Sequence, residues 1–135
     1  MSTATGEYLG KLCMAMTHTA SGTTINTDAG NSNNGKGDAF SPTDLVAVAL
    51  ASCSLTSVGA FAENRGMDFT GAKFEVEKIT AKGPLRISEI DIIFTIPNRN
   101  FTPEQKESLE RAAMACPVHR SLHPDIVKNI TFNWL

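Results

Sequence analysis

The sequence predicts an α+β fold, and three observations lead to this prediction. Apolar and polar residues alternate in several short segments, which is the pattern of half-buried strands. Two segments carry helix-start signals followed by apolar residues at helical spacing, one after Ser41 and one after Thr102. The chain has 135 residues, of which 41% are hydrophobic, and this suits one domain with its own core. We therefore expect a single domain over residues 1–135.

The first strands are expected near the N-terminus. One side of an extended segment over residues 7–19 would carry Tyr8, Leu12, Met14, Met16 and His18. A turn signal at 20–22 precedes a second β-prone run at 23–27, so we predict a hairpin. Residues 28–38 are almost entirely turn-forming and contain three glycines, which predicts a mobile surface loop.

A long helix is predicted from Pro42 to about Arg65. Ser41 is suited to the N-cap, Pro42 to the first helical position and Asp44 to the first turn, and Gly66 would end the helix. Apolar residues cover most of its circumference, so we expect a central helix packed on several sides. Its small residues would let another helix approach closely, and its several serines favour a buried helix over a membrane span.

The second half of the chain alternates strands and helices. Strands are predicted around 74–79 and 90–96, on either side of the turn signal Gly83-Pro84. A capping box at 102–105 starts a second helix, Pro117 starts a short third one, and residues 130–134 alternate as a final strand. The predicted order of elements is β-β-α-β-β-α-α-β.

Charge and cysteine content exclude several classes of protein. With 12 basic and 14 acidic residues, the chain lacks the excess of positive charge that a nucleic-acid or anionic-membrane binder needs. Residues 1–16 have neither the basic start nor the apolar stretch of a signal peptide, so we expect a cytoplasmic protein. Three cysteines are too few for a structural disulfide framework, and in the cytosol they are expected as thiols.

The candidate chemistry lies at Cys53 and Cys116. A lone cysteine inside an apolar helix, as at Cys53, is most often a small core residue. Cys116 directly precedes Pro117 at the expected start of the third helix, a position that favours a thiolate, so the two cysteines are also candidates for a redox pair. A metal site formed by Cys116, His119 and His123 lacks a second pair of ligands, and we expect neither a metal nor a cofactor.

Two segments together resemble the OsmC/Ohr family. They are Ser41-Pro42-Thr43-Asp44-Leu45, continuing to Ala49-Leu50-Ala51-Ser52-Cys53, and Ala115-Cys116-Pro117-Val118, in which the second cysteine follows 63 positions after the first. The order of the predicted elements also matches the family along the whole chain. The resemblance implies an intertwined homodimer in which strands wrap around two long central helices of each protomer, with active sites at the dimer interface.

The resemblance also implies a thiol-dependent peroxidase that acts on small organic hydroperoxides in oxidative stress defence. Cys53 would attack the peroxide and become a sulfenic acid, and Cys116 would resolve it as a disulfide. A dithiol or a small thiol would then reduce the disulfide. The best-known members of the family hold the reactive thiolate with an arginine from the N-terminal half and a glutamate just after the proline that opens the central helix. This chain has neither, because no arginine precedes Arg65 and Thr43 follows Pro42. Candidate thiolate partners in their place are Lys36, His18 and Asp44.

An alternative function belongs to a different class. A non-enzymatic OsmC-like protein would use the same interface to bind a small apolar or thiol-containing ligand, with the cysteines acting as sensors or as packing residues. The two functions differ in one measurable property, since only the peroxidase reacts rapidly with hydroperoxides.

Overall fold

The computed structural model describes residues 1–30 and 34–135. Along these residues the elements are β1 (Ala4–Gly10), β2 (Cys13–His18), β3 (Thr24–Asp28), α1 (Pro42–Glu63), β4 (Lys73–Ala81), β5 (Arg86–Ile96), α2 (Pro103–Met114), α3 (Pro117–Ser121) and β6 (Val127–Trp134). The predicted α+β class is confirmed. The contacts divide the chain into two units, Met1–Val46 and Ala47–Leu135, and α1 runs from the first into the second.

The first unit contains a three-stranded antiparallel sheet in the order β1-β2-β3. The sequence predicted one extended segment over 7–19, but the structure has two strands joined by a tight turn. Gly10, Lys11 and Leu12 form this turn with φ angles of 86°, 55° and 65°. Lysine and leucine rarely adopt such angles, so the local sequence contained no turn signal apart from Gly10. The strand order is therefore β-β-β before α1, not β-β.

The glycine-rich segment after β3 folds back on Asp28. This residue is 2% exposed, and its carboxylate accepts hydrogen bonds from the backbone N–H groups of Gly30 at 3.4 Å, Lys36 at 3.1 Å and Asp38 at 3.0 Å. A Cβ atom at Gly35 would collide with this carboxylate and with the backbone of Gly30. The described part of the predicted mobile loop is thus held by a buried acid, while residues 31–33 lie outside the described residues.

This arrangement predicts a pH-dependent stability. Backbone N–H groups that donate to the Asp28 carboxylate lower its pKa. The N–H of Asp38 has the largest effect, those of Gly30 and Lys36 have smaller ones, and burial of the carboxyl acts in the opposite direction. A carboxyl with a lower pKa in the folded state stabilises the fold above its unfolded pKa, and that stability is lost as pH falls through the folded pKa. We expect Asp28→Asn to be less stable than the wild type near pH 7 and the difference to shrink below about pH 4.

Urea unfolding of both proteins from about pH 7 to about pH 3 measures this difference. Asp38→Asn is the matched control, because it keeps the backbone N–H that donates to Asp28. A difference between Asp28→Asn and the wild type that is constant over this pH range would contradict the prediction.

Helix α1 buries one side. The N-cap of Ser41 is confirmed, since its Oγ accepts a hydrogen bond from the Asp44 N–H at 3.0 Å, and the helix ends before Gly66 at a φ of 69°. The fully buried residues after the first turn are Ala47, Leu50, Ala51, Ser54, Val58 and Ala62. Ser52, Thr56 and Ala60 are exposed, so the residues that the structure describes do not cover α1 on several sides as predicted. Apolar residues on several sides of a helix predict that these sides are buried, but they do not identify the segments that would bury them.

The second unit has its core between α1 and a sheet in the order β4-β5-β6. Strand β4 is antiparallel to β5, and β6 is parallel to it. The main core cluster, named so below, consists of Ala47, Leu50, Ala51, Ile90, Ile92, Phe94, Ile96 and Cys116. A second cluster joins α1 to α2 through Val58, Ala62, Leu109 and Ala113. By length and composition alone α1 could cross a membrane, but core helices of soluble proteins meet the same criterion, and its inner side packs on β5.

Candidate redox site

The sulfur of Cys116 lies at the start of α3, inside the main core cluster. The residue is fully buried and is the N-cap of α3, with an extended backbone that points its side chain back at the helix. The predicted capping position is therefore confirmed. Its Sγ accepts a hydrogen bond from the backbone N–H of His119 at 3.2 Å. Pro117 contributes no N–H in this first turn, so the donor available to the sulfur comes from the third helical residue.

Helix α1 brings a hydroxyl to the same sulfur. The Oγ of Ser54 donates to the Sγ of Cys116 over 3.7 Å, and both residues are fully buried. Ser54 directly follows Cys53 in the sequence. The middle of α1 and the start of α3, which are 62 residues apart in the chain, thus meet at Cys116.

Cys53 lies on the same turn of α1, with a half-buried side chain that packs against the main core cluster. Cys53 and Cys116 are both free thiols. Cys116 is a member of the cluster that Cys53 contacts, so the structure places the two predicted site cysteines around one core cluster. Cys13 is also a free thiol, and it belongs to β2 in the first unit.

Two basic residues of the second unit, His119 and Lys128, interact electrostatically. His119 is half-buried, and its pKa is lowered first by its burial and then by the positive charge of Lys128. Lys128 pairs with the buried Ile90 across β5 and β6, and its Nζ donates to the carbonyl of Ile126 at 3.1 Å. The lowered pKa favours the neutral form of the His119 imidazole near pH 7.

Ser54 and Lys128 are not among the site residues that the sequence predicts. Lys128 had a usable signal, because it shares the parity of the inward-facing Ile130, Phe132 and Trp134 on β6. A charged residue is uncommon on the apolar side of a strand, because charged side chains are rarely buried without a partner. Ser54 had no such signal, since serine is common in this helix and only the fold shows which serine meets Cys116.

The three predicted thiolate partners are all in the first unit, where each has local contacts. The His18 ring is hydrogen-bonded to the Ser21 hydroxyl at 2.7 Å. Lys36 is exposed, and its backbone N–H donates to Asp28. The Asp44 carboxylate accepts from the Ser41 N–H at 3.0 Å and so completes the N-terminal cap of α1. Their role toward Cys53 stays a prediction.

The metal alternative receives no support from the neighbours of Cys116. The His123 Nδ1 accepts a hydrogen bond from the Asp125 N–H at 3.0 Å, within its own turn. Over residues 1–30 and 34–135 no group of three or more His, Cys, Asp or Glu side chains is arranged to hold a metal ion.

Comparison with solved structures identifies this arrangement of elements. A crystal structure from Psychrobacter arcticus 273-4, named for osmotic stress induction and a detoxification response, shares 40% identity over 98% of this chain and 96% of that one, with a TM-score of 0.94. The organic hydroperoxide resistance protein OsmC of Legionella pneumophila shares 14% identity over 98% of each chain, with a TM-score of 0.72. OhrB, the organic hydroperoxide resistance protein of Bacillus subtilis, shares 16% identity over 98% of each chain, with a TM-score of 0.64.

The last two likenesses show the fold alone, because their identity is low. No curated protein is similar enough to the chain to count as a match. The family model described as OsmC-like protein matches residues 35–131, a range that includes both Cys53 and Cys116. Proteins of this family are generally soluble, which agrees with α1 as a core helix. From this match over most of its length and its 40% identity to the Psychrobacter protein, the chain belongs to the OsmC-like protein family.

Proposed function

We propose that the protein is a thiol-dependent peroxidase that reduces small organic hydroperoxides and serves in oxidative stress defence. The observation that supports this most is the placement of two free thiols around one core cluster, with Cys53 half-buried and Cys116 fully buried. The names of the Legionella and Bacillus proteins, which refer to organic hydroperoxide resistance, support the same chemistry.

The reaction has three steps. The Cys53 thiolate attacks the outer peroxide oxygen, the O–O bond breaks, and the products are a Cys53 sulfenic acid and an alkoxide that takes up a proton to become an alcohol. The Cys116 thiolate then attacks the Cys53 sulfur, forming the disulfide and releasing hydroxide, which is protonated to water. A dithiol or a small thiol returns both sulfurs to thiols by exchange, donating two electrons.

The surroundings of Cys116 favour its part in this sequence. An N–H group that donates to the sulfur stabilises a thiolate more than a thiol. Cys116 is therefore suited to the resolving step, which follows after Cys53 has met the peroxide.

The protein is also proposed to act as a homodimer in the cytoplasm. The exposed side of α1 is lined by the small residues Ser52, Thr56 and Ala60, which would allow a second helix to approach closely. The sheet of the first unit exposes Tyr8, Leu9 and Ile25, each between 48% and 60% exposed, and a second chain would remove these apolar side chains from water.

Anaerobic mixing of the reduced protein with about one equivalent of cumene hydroperoxide tests the proposal. We expect loss of the peroxide and formation of a Cys53–Cys116 disulfide, identified by peptide mass mapping, with Cys13 remaining a free thiol. Hydrogen peroxide at the same concentration is the comparison substrate. If both thiols stay free for many minutes, the peroxidase proposal is wrong, and the search moves to the ligand-binding alternative.

The variant Cys116→Ser separates the first two steps. Without a reductant we expect it to consume about one equivalent of cumene hydroperoxide, as the wild type does, but to retain the sulfenic acid at Cys53, because no resolving thiol is present. Trapping with dimedone, followed by mass spectrometry, should place one adduct on Cys53. The wild type treated in the same way should yield the disulfide and little adduct, and an adduct on Cys13 instead would contradict the assignment.

A further inference from the structure

Ser54 differs from Ser52 and Thr56, two other hydroxyl residues of α1, in what its hydroxyl contacts. Ser52 and Thr56 donate to carbonyl groups of their own helix, at 3.4 Å to Ala49 and 2.8 Å to Ser52, and both are exposed. This is the usual behaviour of hydroxyl residues inside a helix. Ser54 is fully buried beside the main core cluster and donates to the sulfur of Cys116.

A buried hydroxyl needs a partner, because an unsatisfied one costs about 1 to 3 kcal/mol. Alanine, which α1 uses at Ala47, Ala51 and Ala62 on the same side, would fill this position without that requirement. The partner that Ser54 has is a thiol, and a hydrogen bond to sulfur strengthens when the sulfur becomes an anion. The serine therefore has a larger effect on the thiolate than on the thiol.

We propose that Ser54 is a positioning residue for Cys116: its hydroxyl, with the His119 N–H, holds the Cys116 sulfur and favours the thiolate that resolves the oxidised Cys53. This inference rests on the proposed function for the resolving step. The effect on the Cys116 thiol itself does not require peroxidase activity. Because Ser54 follows Cys53, the same turn of α1 carries the sulfur that is oxidised and the hydroxyl that prepares the Cys116 sulfur to attack it.

The first experiment isolates the Cys116 thiol in a parent protein with Cys13→Ser and Cys53→Ser. The rate of its alkylation by iodoacetamide is followed over pH, with and without Ser54→Ala. We expect Ser54→Ala to slow alkylation roughly fivefold near neutral pH, and the ratio of parent to variant rates to approach one at high pH, where the sulfur is ionised in both. A loss of packing alone would change the rate without this pH dependence.

Ser54→Thr, which retains the hydroxyl, should restore the parent rates, and Ser57→Ala, a half-buried serine of the same helix, should leave them unchanged. Thermal unfolding of each variant verifies that it is folded. If threonine packs poorly, the pH dependence of the Ser54→Ala ratio is still a complete test. Equal rates for the parent and Ser54→Ala at every pH, or a ratio that does not change with pH, would overturn the inference.

The second experiment uses the chain with all its cysteines. After one equivalent of cumene hydroperoxide, Ser54→Ala should consume peroxide in the first turnover at the wild-type rate, while its Cys53 sulfenic acid, trapped with dimedone, persists roughly fivefold longer. An unchanged lifetime would overturn the role of Ser54 in resolution. Failure of the wild type itself to react would instead count against the proposed peroxidase, and the alkylation experiment would still decide whether Ser54 controls Cys116.

Discussion

Replacing Cys53 with serine is expected to abolish the turnover of cumene hydroperoxide, by a factor on the order of 10³ or more. A serine hydroxyl is not ionised at neutral pH and cannot form the sulfenic acid that the second step needs. The half-buried side chain accepts serine at nearly the same volume, so the fold should be retained. Steady-state peroxide consumption with dithiothreitol as the reductant measures the effect.

Cys13→Ser is the matched control, since it makes the same chemical change at a free thiol of the first unit. It should keep wild-type turnover. Retention of activity in Cys53→Ser, together with its loss in Cys116→Ser, would assign the attack on peroxide to Cys116. Wild-type turnover in both cysteine variants would remove the peroxidase proposal altogether.

Replacing Phe94 with alanine is expected to lower the free energy of unfolding by about 3 to 5 kcal/mol. Phe94 is fully buried in the main core cluster, and its ring lies 5.2 Å from that of Phe132, measured between centroids. Alanine would leave a cavity between α1 and the sheet and would remove this aromatic pair. Urea unfolding should show the loss as a lower midpoint.

The neighbouring Ile93 serves as the control, because it lies on the same strand but is 46% exposed. Ile93→Ala should cost less than about 1 kcal/mol. All measurements need one protein concentration, since association would make the midpoint depend on it. Similar losses for the two variants would mean that the core is not where the structure places it.

Local sequence signals predicted most of the elements, because each signal acts within a few residues. The N-cap at Ser41 and the capping box at Thr102 determine where α1 and α2 begin, and both are present as hydrogen bonds. The alternation around Ile90 to Ile96 predicted β5 for the same reason. The turn at Lys11 and Leu12 was missed because neither residue type favours a positive φ, so pairing of β1 with β2 must impose it.

The site was predictable only in part. Helix caps, apolar periodicity and the Cys-Pro pair are local features, so the α+β class, the two long helices and the candidate residues Cys53 and Cys116 could be predicted from the sequence. Which groups meet at the Cys116 sulfur depends on how distant segments pack. Ser54 and Cys116 are 62 residues apart, and Lys128 reaches the neighbourhood of His119 only through the pairing of β6 with β5. Such contacts depend on packing between distant segments, which no local pattern encodes.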